Sequence, residues 1–169
     1  MTQFALHQSN NMYDKDMIAI RLLKKQEPIP YHLLLLADEE MQAIERYIHQ
    51  SDIYVVEKNN RTIAVYALYQ MDEHTAEIKA IAVDEAYQNR GIGKLMLRDA
   101  EVKAQEKGCR ELIIGTPTIA KKQLAIYQKA GFEWFDVKKN FFITWYSEPI
   151  FEEGVQLKDM AMMRKVIAG

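Results

Sequence analysis

Cysteine is almost missing from this chain. Among its 169 residues Cys109 stands alone, so there is no partner for an internal disulfide and no set for a cysteine-ligated metal cluster. An excess of positive charge is missing too. Lys and Arg number 22 against 24 Asp and Glu, a formal charge of -2. Bulk nucleic-acid binding needs a basic surface, and this balance argues against it. Long apolar runs are absent: neither Leu33–Ala37 nor Ile53–Val56 approaches the roughly 20 residues a membrane-spanning helix requires. With no secretory leader recognisable, the expected location is the cytoplasm. His32, His49 and His74 are scattered without metal-ligand spacing, so no metal site is expected. Glycine and proline are sparse, at seven and four. Two glycines within three residues, Gly91 and Gly93, therefore stand out.

What remains is ordinary globular composition, 49% hydrophobic and 27% charged, enough for one domain with a core. Residues 1–16 are polar and aperiodic and read as a loose tail. Residues 17–169 read as the single domain.

Met17–Leu22 alternates partly and predicts a first strand. After the break at Glu27-Pro-Ile-Pro30, the acids Asp38-Glu-Glu predict a helix start following the Leu33–Leu36 run, with the helix continuing to about Gln50. Ile53–Glu57, Thr62–Tyr69 and Ala76–Val83 are β-prone and joined by the turns Lys58-Asn-Asn-Arg61 and Met71-Asp-Glu-His74. They predict an antiparallel meander. The pattern then turns helical: Gly93, Met96, Leu97, Ala100 and Ala104 share one face, with Gly93 expected on its buried side for close helix–sheet packing. Gly108 closes that helix and Glu111–Gly115 follows as a buried strand. A strand–helix–strand crossover makes the strands Ala76–Val83 and Glu111–Gly115 parallel. A helix Lys121–Ala130 ends at Gly131. Trp134–Trp145 predicts a long aromatic strand, and Val155–Met163 a last strand antiparallel to it. The aromatic C-terminal strands offer a surface for a homodimer.

The stretch between Val83 and Lys94 builds an anion site. A helix start carries N–H groups without internal partners and partial positive charge, and glycines let a phosphate approach the backbone. Two familiar glycine turns do not fit. A dinucleotide fingerprint wants a glycine where Met96 stands, which leaves a dinucleotide-dependent oxidoreductase a poor reading. A P-loop wants glycine at Gln88 and Ser or Thr at Leu95. Gln88-Asn-Arg-Gly-Ile-Gly93 fits a third pattern and resembles the coenzyme A pyrophosphate loop of the GNAT superfamily of N-acetyltransferases. The resemblance runs from Met17 to Met163. Ala76–Val83 looks like that family's fourth strand, and Tyr127-Gln-Lys-Ala-Gly-Phe132 like its Tyr-x-x-x-Gly-Phe signature. The tail Asn140–Gly154 with Lys158-Asp-Met160 is similar to that of the bacterial YvbK-like subgroup.

The resemblance implies an α/β fold (α+β in some schemes). Its mixed sheet has six to seven strands: an antiparallel N-terminal meander, then parallel, splayed fourth and fifth strands, with helices on both faces. It implies acetyl transfer from acetyl-CoA to a primary amine, on a small molecule or peptide, by direct attack through a tetrahedral intermediate. Gln88, Asn89, Arg90, Gly91, Ile92, Gly93 and Lys94 would hold the pyrophosphate. Backbone groups of Ile81 and Val83 would pair with the pantetheine arm as with an extra strand, with a bulge expected near Ala82. An N–H near Val83 would face the thioester carbonyl. Tyr127 is the candidate general acid toward the thiolate, and Glu77 the candidate base or water-positioner. Many relatives have Asn in the loop before the tyrosine helix. Here the loop reads Thr116-Pro-Thr-Ile-Ala-Lys-Lys122, and Thr118 is the residue able to take its place.

Each residue has a plainer reading. Arg90 and Lys94 also suit solvated charges at a helix start. Tyr127 shares a helix side with Ile126 and Ala130, as a core aromatic would. Glu77 has a cation close by in Lys79. Cys109 reads as a buried structural thiol. Tyr54, Tyr66, Tyr69, Phe141, Phe142, Trp145 and Tyr146 are candidates for an acceptor pocket, although strand aromatics more often fill a core. An alternative of another class, a non-catalytic acyl-CoA-binding module or sensor, fits the same loop.

Overall fold

The structure, a computed structural model, describes residues 17–167; the expected loose tail lies outside the described residues. Nine strands and five helices follow in the order β1 (Ala19–Leu22), α1 (Tyr31–Ala37), α2 (Met41–Glu45), β2 (Asp52–Lys58), β3 (Arg61–Gln70), β4 (Thr75–Val83), α3 (Ile92–Glu106), β5 (Glu111–Pro117), α4 (Lys121–Lys129), β6 (Glu133–Lys138), α5 (Phe141–Thr144), β7 (Phe151–Glu152), β8 (Val155–Gln156) and β9 (Met160–Val166). Seven strands make one sheet in the order β1-β2-β3-β4-β5-β9-β6, and β7-β8 form a separate ribbon. No described helix is long and apolar enough to cross a membrane.

The meander forms as its turns predict. Asn59 and Asn60 both take positive φ, 51° and 60°, the conformation whose twist matches a two-residue hairpin. At the next turn the Asp72 carboxylate accepts from the backbone N–H groups of His74 and Thr75, at 2.7 and 2.8 Å. The crossover through α3 then brings β5 parallel to β4, paired from Thr75↔Glu111 to Ile78↔Ile114.

Alternation along the strands divides the apolar side chains between two cores. Tyr54, Val56, Ala64, Tyr66 and Leu68 point to the face covered by α3 and α4, where they meet Met96, Leu97, Ala100 and Tyr127. Ile53, Val55, Val65 and Ala67 point to the other, against Leu33, Leu34 and Ile44 of α1 and α2. Strand β4 switches faces partway. Ala76 and Ile78 belong to the α3 side, but Ala80 and Ala82 to the α1 side. The cause is a bulge: Ala67 pairs with Ala80 and Leu68 with Ile78, so Lys79 is an extra residue. One extra residue in a period of two exchanges the faces of everything that follows. The bulge expected near Ala82 thus falls at Lys79, where β4 parts from β5.

Other expectations need correction. The Leu33–Leu36 run lies inside α1, which starts after Pro30, and Asp38 stands at its C-terminal end, donating its N–H to the Leu34 carbonyl. The run buries Leu33 and Leu34 on one side while Leu35 and Leu36 stay exposed, so a four-residue apolar string is one turn of an amphipathic helix. The helix expected to reach Gln50 is only α2 and a short 3-10 turn at Ile48–Gln50. The long strand expected over Trp134–Trp145 stops at Lys138. Asn140 takes φ 56° and opens α5, whose Phe142 packs with Ile150 and Leu157 in a third, small core. Strand β9 begins at Met160 and inserts between β5 and β6, antiparallel to both. The buried residue at the start of α3 is Ile92. A side chain at Gly93 would meet nothing within 4 Å, so Gly93 does not serve helix–sheet packing.

Candidate active site

Beyond Ile78, strand β4 has lost β5 as a neighbour, so one backbone edge of Lys79–Val83 is unpaired within the sheet. The gap is the root of a cleft of about 480 Å³ that runs from Ile81, Ala82 and Val83 to Gln88, Asn89, Gly91, Gly93 and Lys94. The Gln88 side chain donates to the Val83 carbonyl at 3.0 Å, tying the loop back to the strand. Asn89 and Gly91 have positive φ, 61° and 82°, which turns the chain sharply into α3. The N–H groups of Gly91, Ile92, Gly93 and Lys94 have no acceptor among the described residues. The space a side chain would fill at Gly91 or Gly93 is empty. Unbonded N–H groups at the positive end of a helix, beside open space, suit a phosphate.

Not every loop residue points into the cleft. Ile92 is buried in the core. Arg90 lies with its guanidinium 5.3 Å from the centre of the Tyr87 ring. Lys122 and Lys129, on the facing side of α4, do line the cleft. They are seven residues apart on one helix face, and that spacing was the signal that could have found them. Thr118 donates its N–H to the Asp159 carbonyl at 3.0 Å; its neighbours Thr116 and Pro117 line a second cleft beside this one.

Tyr127 joins this cleft to a second one, of about 210 Å³, between Ile78–Ile81 and Ile114–Pro117. Its residue is only 8% exposed and its ring stands edge-on to Phe132 at 6.3 Å. Burial pushes the phenol up to about 12. The hydroxyl therefore keeps its proton at neutral pH.

A third space, of about 320 Å³, adjoins the second and shares Asp38, Ile78, Lys79, Gly115, Tyr146 and Met160 with it. Five aromatic residues line it: Tyr47, Tyr69, Phe141, Trp145 and Tyr146. Of the aromatics singled out in the sequence, Tyr69, Phe141, Trp145 and Tyr146 thus reach a cleft here and Phe142 reaches the second one. Tyr54 and Tyr66 instead stack in the core, ring centres 4.8 Å apart. Glu77 opens onto this third space. It is buried, and Lys79 holds it at 2.8 Å, with the Lys79 ammonium also 5.5 Å from the Tyr69 ring centre. Gly115 makes room for Met160, whose sulfur would lie 2.6 Å from any side chain placed there.

Asp38 is the residue the sequence concealed. Its carboxylate accepts from the hydroxyls of Tyr146 and Tyr47. Burial raises its pKa, and the two phenols oppose that rise. Tyr146 is more than a hundred residues away in sequence, so no local pattern marks the pair. Cys109 is buried, away from all three clefts, and burial pushes its thiol up.

Residues 19–132 match the Acetyltransferase (GNAT) family. The chain is 37% identical to the uncharacterized N-acetyltransferase YvbK of Bacillus subtilis over 79% of this chain and 86% of that protein. A GNAT family acetyltransferase from Elizabethkingia anophelis, solved with acetyl-CoA bound, is 43% identical, with a TM-score of 0.86 over 88% of this chain and 97% of that one. A Bacillus subtilis acetyltransferase in complex with CoA is 34% identical, with a TM-score of 0.82 over 90% of this chain and 100% of that one. With the splayed β4–β5 pair and the open N–H groups at the start of α3, these likenesses identify the chain as a member of the GNAT family of acetyltransferases.

Proposed function

We propose that this protein moves an acetyl group from acetyl-CoA to a primary amine by direct attack of the amine on the thioester. The observation that carries the reading is the continuous path through the three clefts. It starts at the unbonded N–H groups of Gly91–Lys94, follows the open edge of β4, passes Tyr127, and ends in the aromatic space that holds Glu77. The acetyl-CoA bound by the Elizabethkingia relative supports it.

In this reading the N–H groups from about Asn89 to Lys94 take the pyrophosphate, and Lys94, Lys122 and Lys129 add charge. Ile81 and Val83 pair their free backbone groups with the pantetheine amides. An N–H at the unpaired edge of β4, near Val83, donates to the thioester carbonyl as negative charge develops there. Acetyl-CoA supplies the activated acetyl group. Tyr127 donates to the departing sulfur. A phenol at about 12 is a weaker acid than a thiol at roughly 8.5. The donation is therefore a hydrogen bond that stabilises the departing thiolate while the proton stays on the phenol. Glu77, held by Lys79, orders the water that accepts the proton lost by the amine. The reading includes Thr118 as the loop contact to the pantetheine arm, and cytoplasmic action as a homodimer.

Titration calorimetry with acetyl-CoA comes first. Dissociation constants at or below tens of micromolar (order of magnitude) are expected, and no binding in that range sinks the proposal. Release of free thiol across an amine panel is the second measurement. Tight binding with no release from any amine would instead establish the acyl-CoA-binding module.

A further inference from the structure

We infer that the aromatic cleft selects an amine that also carries an anionic group, a carboxylate or a phosphate, over a plain cationic amine. This inference rests on the acetyl-transfer reading. Although the chain as a whole is slightly acidic, the lining of this cleft has three cations, Arg46, Lys79 and Lys138, to two carboxylates, Asp38 and Glu77.

The two carboxylates are already engaged. Asp38 accepts from both Tyr146 and Tyr47, and Glu77 is paired with Lys79 at 2.8 Å. An incoming ammonium would find Glu77 already paired and Asp38 already accepting two hydrogen bonds. Arg46 and Lys138 are in the opposite condition. Neither makes an ion pair with a carboxylate among the described residues; Arg46 reaches Asp38 only through its field, helping to lower that group's pKa. Arg46 is also pre-oriented. One guanidinium nitrogen donates to the Trp145 carbonyl at 2.6 Å, and the group lies 5.3 Å from the Trp145 ring centre. Arg46 is exposed, and its remaining N–H donors are open to carboxylate or phosphate oxygens. The Lys138 ammonium lies 5.8 Å from the Phe141 ring centre.

Placement sets the orientation of the acceptor. Asp38, Gly115, Tyr146 and Met160 are shared with the cleft that holds Tyr127, whereas Arg46, Lys138, Phe141 and Trp145 line only the aromatic space. The amine therefore lies toward the shared wall and the anion toward Arg46 and Lys138. The body between them rests on aromatic rings.

Matched pairs test this: phenethylamine against phenylalanine, butylamine against 4-aminobutyrate, and ethanolamine against phosphoethanolamine. Each is titrated calorimetrically into the CoA-loaded protein, so the readout is affinity and does not require turnover. In at least one pair the anionic member should bind about ten-fold tighter or more, the scale of a charge-assisted contact. The carboxylate and phosphate pairs separate the two anion sources. Combined Arg46→Met and Lys138→Met should reduce that preference to about two-fold or less. Lys138→Met alone, which breaks no hydrogen bond to the backbone, should reduce it in part and guards against a folding defect at Arg46. Plain amines binding as tightly as their anionic partners, a preference that survives the double substitution, or no binding in any pair overturns the inference. Loss of CoA binding by the unmodified protein would be seen separately, before any amine is added, and marks failure of the acetyl-transfer reading itself.

Discussion

Tyr127 and Glu77 occupy the same protein on different terms. Tyr127 is neutral, so burial costs it little while it stays protonated. Glu77 is a buried acid and keeps its place through Lys79 at 2.8 Å. Tyr127 has a measurable signature at high pH. Its folded pKa, about 12, lies above the free value of roughly 10. The stability this contributes is fully present below pH 10 and is lost as pH rises through about 12, on the order of 2–3 kcal/mol in all. Tyr54, also pushed up to about 12 by burial, adds to the same slope. Urea unfolding at pH 8.5 and pH 11 should therefore show a smaller alkaline loss in Tyr127→Phe than in the unmodified protein. The same variant should turn over roughly ten- to a thousand-fold more slowly, the range of lost acid catalysis. Unchanged turnover in a thiol-release assay would remove Tyr127 from the chemistry and leave it as a core aromatic.

Among the elements, β4 does the most to create the site, and it does so through one supernumerary residue. The bulge at Lys79 lets Ile78 face α3 while Ala80 and Ala82 face α1, and it falls where β4 and β5 separate. Deleting Lys79 leaves Ile78 opposite Leu68 and Ala80 opposite Ala67 on their present faces, now in unbroken alternation, so it removes the bulge and the partner of Glu77 together. Denaturant melts should show a larger loss than removal of the partner alone, above about 3 kcal/mol. Lys79→Met keeps the bulge and removes only the partner of Glu77. Because Lys79 is 28% exposed, the cost should be roughly 1–3 kcal/mol, below the 3–5 of a fully buried pair. Equal effects from the two changes would mean that the ion pair, and not the bulge, is what matters at this position.

At the scale of the molecule, two cores clamp one twisted sheet, and α3 is the larger contributor on its side. Met96 has no exposed surface, and Met96→Ala should cost about 2–5 kcal/mol by thermal or urea melts, without changing which residues form the phosphate loop. The meander, α3 and β5 were legible in the sequence because each is specified locally: asparagines at the hairpin turn, β-branched alternation in the strands, and a helical period after the glycines. The glycine turn before α3 was legible for the same reason. The C-terminal third was not. Trp134–Trp145 has the composition of a strand throughout, yet Asn140 breaks it and Phe142 finds its partners in Ile150 and Leu157. The α1 run misled likewise, because four consecutive leucines hide which two will be buried.

By itself the sequence determined the meander, the crossover, the glycine turn and the helix that carries Tyr127, since these depend on short-range conformational preference and on spacing within a few turns. Tertiary structure alone decided where the sheet opens, that the Glu77–Lys79 pair sits at an aromatic wall, that Asp38 meets Tyr146 and Tyr47, and that Arg46 and Lys138 line the same space without a carboxylate of their own among the described residues. The Asp38–Tyr146 and Arg46–Trp145 contacts join residues 108 and 99 positions apart. These arrangements arise from one extra residue in β4 and from the packing of α5 against distant loops, which no periodicity in the chain records.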